Sequence, residues 1–157
     1  MKLSAQPFTA PIQWPRVRRT PGTRATAGEG PRRDASRATI LAVDDEPDAL
    51  DFLRAFLSHE GFDFLQAASG AQALAMIEER RPDLLIVDVM MPGMTGLELC
   101  ELLRAHVETR DIPIILYSAH DMRDHSNAGL YDHAFVKPAD PDQLLSAVRT
   151  LLPGDRH

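Results

Sequence analysis

The amino-acid sequence predicts a three-layer α/β fold whose doubly wound, parallel sheet has five strands. Two observations indicate it: short apolar runs without polar alternation, and an amphipathic segment after each run. A continuous apolar run is typical of a strand buried on both faces, as in parallel sheets covered by helices. Repeated strand–helix pairs with short connections require right-handed crossovers, which place helices on both faces of the sheet.

The first two strand–helix units begin at Thr39. TILAV is the first strand, and Pro47 stands where the first turn of a helix tolerates proline. Apolar residues then recur on one helix face until Gly61 ends that helix. FDFLQAAS is the second strand, and Ser69 and Gln72 have the spacing of a capping box before the second helix.

The remaining units are less regular. DLLIVD is the third strand; it ends in Asp88 and is followed by a glycine-containing loop and a third helix that opens on Thr95. IPIILYSA is the fourth strand and carries Ser118 near its end, whereas residues 120–130 have only a weak helical pattern. HAFVKP is a short fifth strand that ends at Lys137, and an amphipathic last helix follows it.

Charge divides the chain into a basic segment and an acidic domain. Residues 1–37 carry eight basic and two acidic residues, are rich in Pro and Arg, and show no periodicity, so we expect a disordered tail. A basic arm suits contact with nucleic acid or an acidic partner, but we favour a solvated leader without such a role. Residues 38–153 carry most of the acidic residues and form the predicted domain, and residues 154–157 form a short C-terminal tail.

Composition excludes several classes of protein. The single cysteine, Cys100, rules out an internal disulfide, and no paired Cys/His spacing indicates a structural zinc site. No apolar run reaches the roughly 18 residues that a membrane span needs, and the N-terminus lacks the apolar stretch of a signal peptide. We therefore expect a cytoplasmic protein.

Polar side chains follow four of the predicted strands. Because the carboxyl ends of parallel strands share one edge, we expect these side chains to meet there: Asp44, Asp45, Asp88, Ser118 and Lys137. Three crowded carboxylates repel by roughly 1 to 4 kcal/mol per pair at ~4 Å, so the arrangement needs a cation. Hard oxygen ligands with room for water favour Mg²⁺.

These motifs resemble the receiver domain of two-component response regulators. The resemblance covers about residues 38–153 and is carried by the Asp44–Asp45 pair, the DVMMPGMTG loop, Ser118–Ala119 and Lys137–Pro138. It implies a flavodoxin-like fold with the strand order 2-1-3-4-5.

The resemblance also implies the role of each residue that meets the phosphoryl group. Asp88 would be the phosphoacceptor, taking the group from a phosphohistidine of a histidine kinase or phosphotransfer protein. Ser118 and Lys137 would contact the transferred phosphoryl group, and the small Ala119 would leave the approach to Asp88 open. The Lys137–Pro138 bond would be cis.

The implied magnesium ligands lie in the same set. Asp45, Asp88 and the backbone carbonyl of Met90 would bind Mg²⁺ directly, whereas Asp44 would act mainly through bound water.

One position departs from the family pattern. Three residues before the lysine the family usually has Tyr or Phe, whose ring turns inward on activation, and here that residue is Ala134. Phe135 is adjacent, but alternation along a strand sends its side chain to the opposite face. The departure concerns how phosphorylation is read out rather than the chemistry at Asp88.

The expected partners are proteins. The chain ends at His157, shortly after the last predicted helix, so we expect a stand-alone receiver without direct DNA binding. A histidine kinase or phosphotransfer protein would act upstream, and an effector protein that the sequence does not identify would act downstream; a membrane partner is not expected. We expect no enzymatic activity beyond the Mg²⁺-dependent phosphorylation and dephosphorylation of the protein itself.

Two other classes of function remain open. A pseudo-receiver would bind a partner without phosphorylation, although the presence of all five pocket residues argues against it. An aspartate-nucleophile phosphatase would usually have a second Asp two residues after the nucleophile, where this chain has Met90.

Overall fold

A computed structural model describes residues 37–120 and 129–152 of the chain. Within these residues, strands and helices alternate through the first three units, and the fourth helix follows the fifth strand. In chain order the elements are β1 (Thr39–Val43), α1 (Pro47–His59), β2 (Asp63–Ala67), α2 (Gly70–Glu79), β3 (Leu84–Val87), α3 (Gly96–Ala105), β4 (Ile114–Ser118), β5 (His133–Val136) and α4 (Pro141–Leu151).

The five strands form one parallel sheet in the order β2-β1-β3-β4-β5. The order and the parallel pairing confirm the predicted fold. In the centre of the sheet Val43 pairs with Val87, and Val87 pairs with Leu116. The residues that follow these strands therefore emerge at one edge, as predicted.

Side-chain caps begin two of the helices where the sequence predicted them. The Ser69 hydroxyl accepts a hydrogen bond from the Gln72 N–H at 3.1 Å, and the Thr95 hydroxyl accepts one from the Glu98 N–H at 3.2 Å. The Gln72 side-chain oxygen accepts a hydrogen bond from the N–H of Ala68, whereas in a standard capping box it would accept from the N–H of the next residue, Ser69. These caps satisfy amide groups that a helix N-terminus leaves unpaired.

The core consists of two clusters, one on each face of the sheet. Leu41, Leu85 and Leu116 pack against α2 and α3, and Ile40 and Ile86 pack against α1 and α4. Burial of one such side chain contributes about 1.5–3 kcal/mol. Apolar residues at every position of a strand therefore hold a helical layer on each side.

Several expectations concern residues that lie outside those described. They are the disordered tail at 1–37, apart from Arg37, the short tail at 154–157, and most of the weak helix at 120–130. In the part of the chain that the structure describes, no helix has the length and apolar character needed to cross a membrane.

Candidate phosphoacceptor and metal site

Three carboxylates meet at the carboxyl edge of the sheet. The Asp44 N–H bonds to the Ala67 carbonyl, and the Asp88 N–H bonds to the Val43 carbonyl at 2.8 Å, so both residues extend the ladders of the strands they follow. Asp44, Asp45 and Asp88 each place a carboxylate oxygen within 4.8 Å of the others. Asp44 and Asp88 are buried, whereas Asp45 is exposed at the rim.

Lys137 lies directly after β5 and reaches into this group. Its ammonium nitrogen is 2.5 Å from Asp44 Oδ2 and 3.9 Å from Asp88 Oδ2. The backbone N–H of Lys137 donates a hydrogen bond to the Ser118 carbonyl at 2.8 Å, which extends the β4–β5 pairing by one residue. The Lys137–Pro138 bond is cis, as the resemblance implied.

The side chains of the pocket carry excess negative charge, with three carboxylates around one ammonium group. Burial and then the charge of Asp44 raise the pKa of Asp88 from 3.8 to about 6, although Lys137 opposes them. Burial lowers the pKa of Lys137, but the hydrogen bond and charge of Asp44 outweigh burial and raise it overall. A bound cation would favour ionised Asp88, the form that acts as a nucleophile.

The loop after Asp88 is fixed by a very close backbone contact. A Cβ atom added to Gly96 would lie 2.2 Å from the Asp88 carbonyl oxygen and 2.9 Å from the Val89 Cα, so only glycine fits at this position. The Gly96 N–H also donates to the Val89 carbonyl at 2.9 Å. The start of α3 is therefore held against the backbone of the candidate phosphoacceptor. Within the loop, Gly93 has a φ of +77°, which favours glycine.

Ser118 lies at the end of β4, beside the residue that precedes Lys137. It pairs with Val136 in the sheet, is buried, and its hydroxyl accepts a long hydrogen bond of 3.4 Å from the His120 N–H. His120 itself is exposed. The predicted hydroxyl is thus placed at the same sheet edge as the carboxylates.

A cavity of about 300 Å³ adjoins Ser118 and is lined by residues of β4, β5 and the start of α4, Ala134 and Phe135 among them. Ala134 packs against the core cluster of α2 and α3, and Phe135 packs against the cluster of α1 and α4. The prediction that Phe135 points to the opposite face is therefore confirmed. Position 134, where the resemblance implied Tyr or Phe, therefore contributes only a methyl group to the lining of this cavity.

The structure brings the predicted strand-end residues to one sheet edge, but two neighbours were missed. One is Gly96, whose contact with the Asp88 backbone depends on how α3 packs. The other is Tyr117, whose ring centroid lies 5.4 Å from the Lys137 ammonium. The parallel register of β4 and β5 is the signal from which the Tyr117 contact can be found.

The donor set fits a hard divalent cation. Its members are carboxylates, two of them buried and all within 4.8 Å of one another, and Mg²⁺ commonly binds through one or two carboxylates together with water and phosphate oxygens. The Met90 N–H lies 3.4 Å from Asp88 Oδ1, and a role for the Met90 carbonyl stays a prediction.

Fold and site together define a doubly wound α/β protein with an acidic pocket and one lysine at the sheet edge. The family model for the response regulator receiver domain matches residues 40–149, and the chain belongs to this family. Receiver domains are the phosphoacceptor modules of two-component systems, and phosphorylation is characteristic of them.

Two relatives illustrate the similarity. The chain is 38% identical over 122 residues to the DNA-binding response regulator MtrA of Mycolicibacterium smegmatis, a match that covers 76% of this chain and 52% of MtrA. It is 37% identical over 124 residues to the phosphate regulon transcriptional regulatory protein PhoB of Pseudomonas aeruginosa, covering 74% of this chain and 54% of PhoB. The chain thus spans about half the length of these relatives.

Solved structures agree with the fold. The chemotaxis protein CheY4 of Vibrio cholerae superposes with a TM-score of 0.69 at 30% identity, covering 74% of this chain and all of CheY4. The response regulator TrrA of Thermotoga maritima, solved with Mg²⁺ and beryllofluoride, gives a TM-score of 0.68 at 34% identity, covering 73% of this chain and 99% of TrrA.

These relatives correct one expectation. The absence of direct DNA binding was expected because the sequence stops at His157, but relatives such as MtrA are DNA-binding response regulators about twice as long as the matched region. The expectation is therefore wrong, because the position of the last residue is no guide to the output of this family.

Proposed function

We propose that this receiver takes a phosphoryl group onto Asp88 from a phosphohistidine of a histidine kinase or phosphotransfer protein. One observation carries the proposal: Asp88 is a buried carboxylate 3.9 Å from the Lys137 ammonium and beside two further carboxylates. A carboxylate in ordinary structural use avoids such crowding, because burial and like charges both destabilise its ionised form.

The proposed reaction is a single displacement at phosphorus. An Asp88 carboxylate oxygen attacks, the new O–P bond forms, and the P–N bond to the donor imidazole breaks with its electron pair passing to nitrogen. Lys137 supplies positive charge to the phosphoryl oxygens, and the Ser118 hydroxyl donates a hydrogen bond to one of them. The chain contributes mainly position and charge, as is general for phosphoryl transfer.

Magnesium completes the proposed site. Asp45, Asp88 and the Met90 carbonyl would hold it directly, and when bound it would neutralise the crowded negative charge of carboxylates and phosphoryl oxygens. The contacts of Asp44 support a water-mediated role for that residue, because both its oxygens already accept hydrogen bonds. Oδ1 accepts from the Glu46 N–H at 2.9 Å, and Oδ2 accepts from Lys137.

The test is phosphorylation of the full chain by acetyl phosphate, with and without Mg²⁺, followed by intact-mass measurement. We expect the mass of one phosphoryl group to be added only when Mg²⁺ is present. Asp88→Asn should abolish the addition, whereas Asp51→Asn, on the exposed face of α1, should not affect it. Addition to the Asp88→Asn variant would disprove the assignment, and no addition to the unmodified chain would favour a pseudo-receiver.

A further inference from the structure

The ammonium group of Lys137 contacts an aromatic ring as well as carboxylates. Its nitrogen lies 5.4 Å from the centroid of the Tyr117 ring, within the range of a cation–π interaction. Tyr117 lies on β4, one residue before Ser118, and is only 5% exposed. The phosphoryl chemistry proposed above gives this ring no task.

The sheet register explains the contact. Tyr117 pairs with Phe135 across the parallel β4–β5 ladder, and side chains two residues apart on a strand share a face. The stem of Lys137 therefore runs on the same side as Phe135 and passes the ring. Tyr117 packs in the cluster formed with α1 and α4, next to side chains such as Ile115 and Leu144, so its ring is held in place by the core.

The ring contact differs from the carboxylate contacts in how it responds to a bound cation. The ammonium group is held by its 2.5 Å contact with Asp44. A divalent cation among Asp44, Asp45 and Asp88 would cancel much of their attraction for Lys137, whose flexible four-carbon stem would then be free to leave. The attraction of the ring arises from its own quadrupole, so it persists when the carboxylates are neutralised.

We propose that Tyr117 is a positioning residue for Lys137, keeping the ammonium beside Asp88 while the carboxylates are neutralised by a cation. This inference deepens the proposed function and rests on it. It predicts that loss of the ring slows phosphoryl transfer because Lys137 is no longer held in position, and not because the fold is damaged.

The first test is the rate of phosphorylation of the full chain by acetyl phosphate at saturating Mg²⁺. Tyr117→Leu should slow the reaction about tenfold, equivalent to about 1.4 kcal/mol, which is of the size expected for a desolvated cation–π contact. Tyr117→Phe keeps the ring face and should retain a rate close to that of the unmodified chain. Equal rates for the unmodified chain and Tyr117→Leu would overturn the inference.

A double-mutant cycle separates positioning from structural damage. In a Lys137→Met background, Tyr117→Leu should cause no further slowing, because the group on which the ring acts is gone. The same slowing in both backgrounds would show a merely structural role and overturn the inference. Absence of phosphorylation in the unmodified chain would instead refute the proposed function.

A second measurement avoids any loss of side-chain volume. Mono-, di- and trifluorinated phenylalanine at position 117 keep the shape of the ring while progressively weakening the negative charge of its face. Affinity for beryllofluoride with Mg²⁺ should fall stepwise along this series. A constant affinity would overturn the inference even if Tyr117→Leu failed to fold.

Discussion

Replacing Asp88 with asparagine should stabilise the metal-free protein, in a manner that depends on pH. The pKa of Asp88 is raised from 3.8 to about 6 by burial and by the charge of Asp44. Between these two values the folded protein binds more protons than the unfolded chain, so the free energy of unfolding falls as pH rises. The free-energy penalty of holding ionised Asp88 in the folded state is therefore absent well below pH 4 and complete above pH 7.

The size of the effect follows from the same pKa change. One pKa unit corresponds to 1.36 kcal/mol, so the full penalty is about 3 kcal/mol at pH 8 and about half of that at pH 5. Because Asp88→Asn removes the ionisable group, it should raise the free energy of unfolding by these amounts. For a domain of this size, the gain at pH 8 corresponds to a rise in Tm on the order of 10 °C.

The assay is urea and thermal unfolding of the full chain in EDTA at both pH values. Asp51→Asn, on the exposed face of α1, is the matched control and should change stability little at either pH. Added Mg²⁺ should reduce the difference in stability between Asp88→Asn and the unmodified chain, because a ligand that binds the folded state stabilises the unmodified chain. A gain that is absent at pH 8, or equally large at pH 5, would refute the electrostatic account of the pocket.

Three further predictions concern other parts of the molecule. Gly96→Ala should destabilise the protein by more than the roughly 1–3 kcal/mol of ordinary overpacking and should impair phosphorylation. Gly70→Ala should destabilise it less, because the added methyl group meets the flexible Met94 side chain. Urea unfolding compares the two variants, and equal losses of stability would contradict the contact with Asp88. Burial raises the pKa of the Cys100 thiol to about 12, so Ellman's reagent should react slowly with the folded protein at pH 8. In urea it should react readily with one thiol per chain. Rapid reaction in the folded state would show that the thiol is accessible. Removal of residues 1–36 should leave Tm within a few degrees and phosphorylation unchanged, and a large loss of stability would show that this segment docks on the domain.

Sequence patterns predicted the sheet and most of the pocket because both depend on short-range information. An apolar run such as LLIV identifies a buried strand, and parallel pairing then fixes where Asp88 must emerge. The alternation rule also placed Phe135 on the face opposite Ala134.

Features that depend on packing were missed. The clearance at Gly96 depends on how closely α3 approaches the loop after β3, and the ring beside Lys137 depends on the register between two strands. Neither distance is encoded in the periodicity of one segment. The expectation about DNA binding was wrong for a different reason: it relied on the last residue of the chain instead of on any physical property of the fold.

Strand β5 presents the lysine that follows it and Ala134 to opposite layers of the molecule. Lys137 is on the side of α1 and α4, and Ala134 is on the side of α2 and α3. Because β5 is hydrogen-bonded to β4 along its length, we expect a displacement that starts at the lysine to move the strand as one piece. A strand that moves towards one helical layer moves away from the other, so we expect the contacts of β5 with the two layers to change in opposite directions.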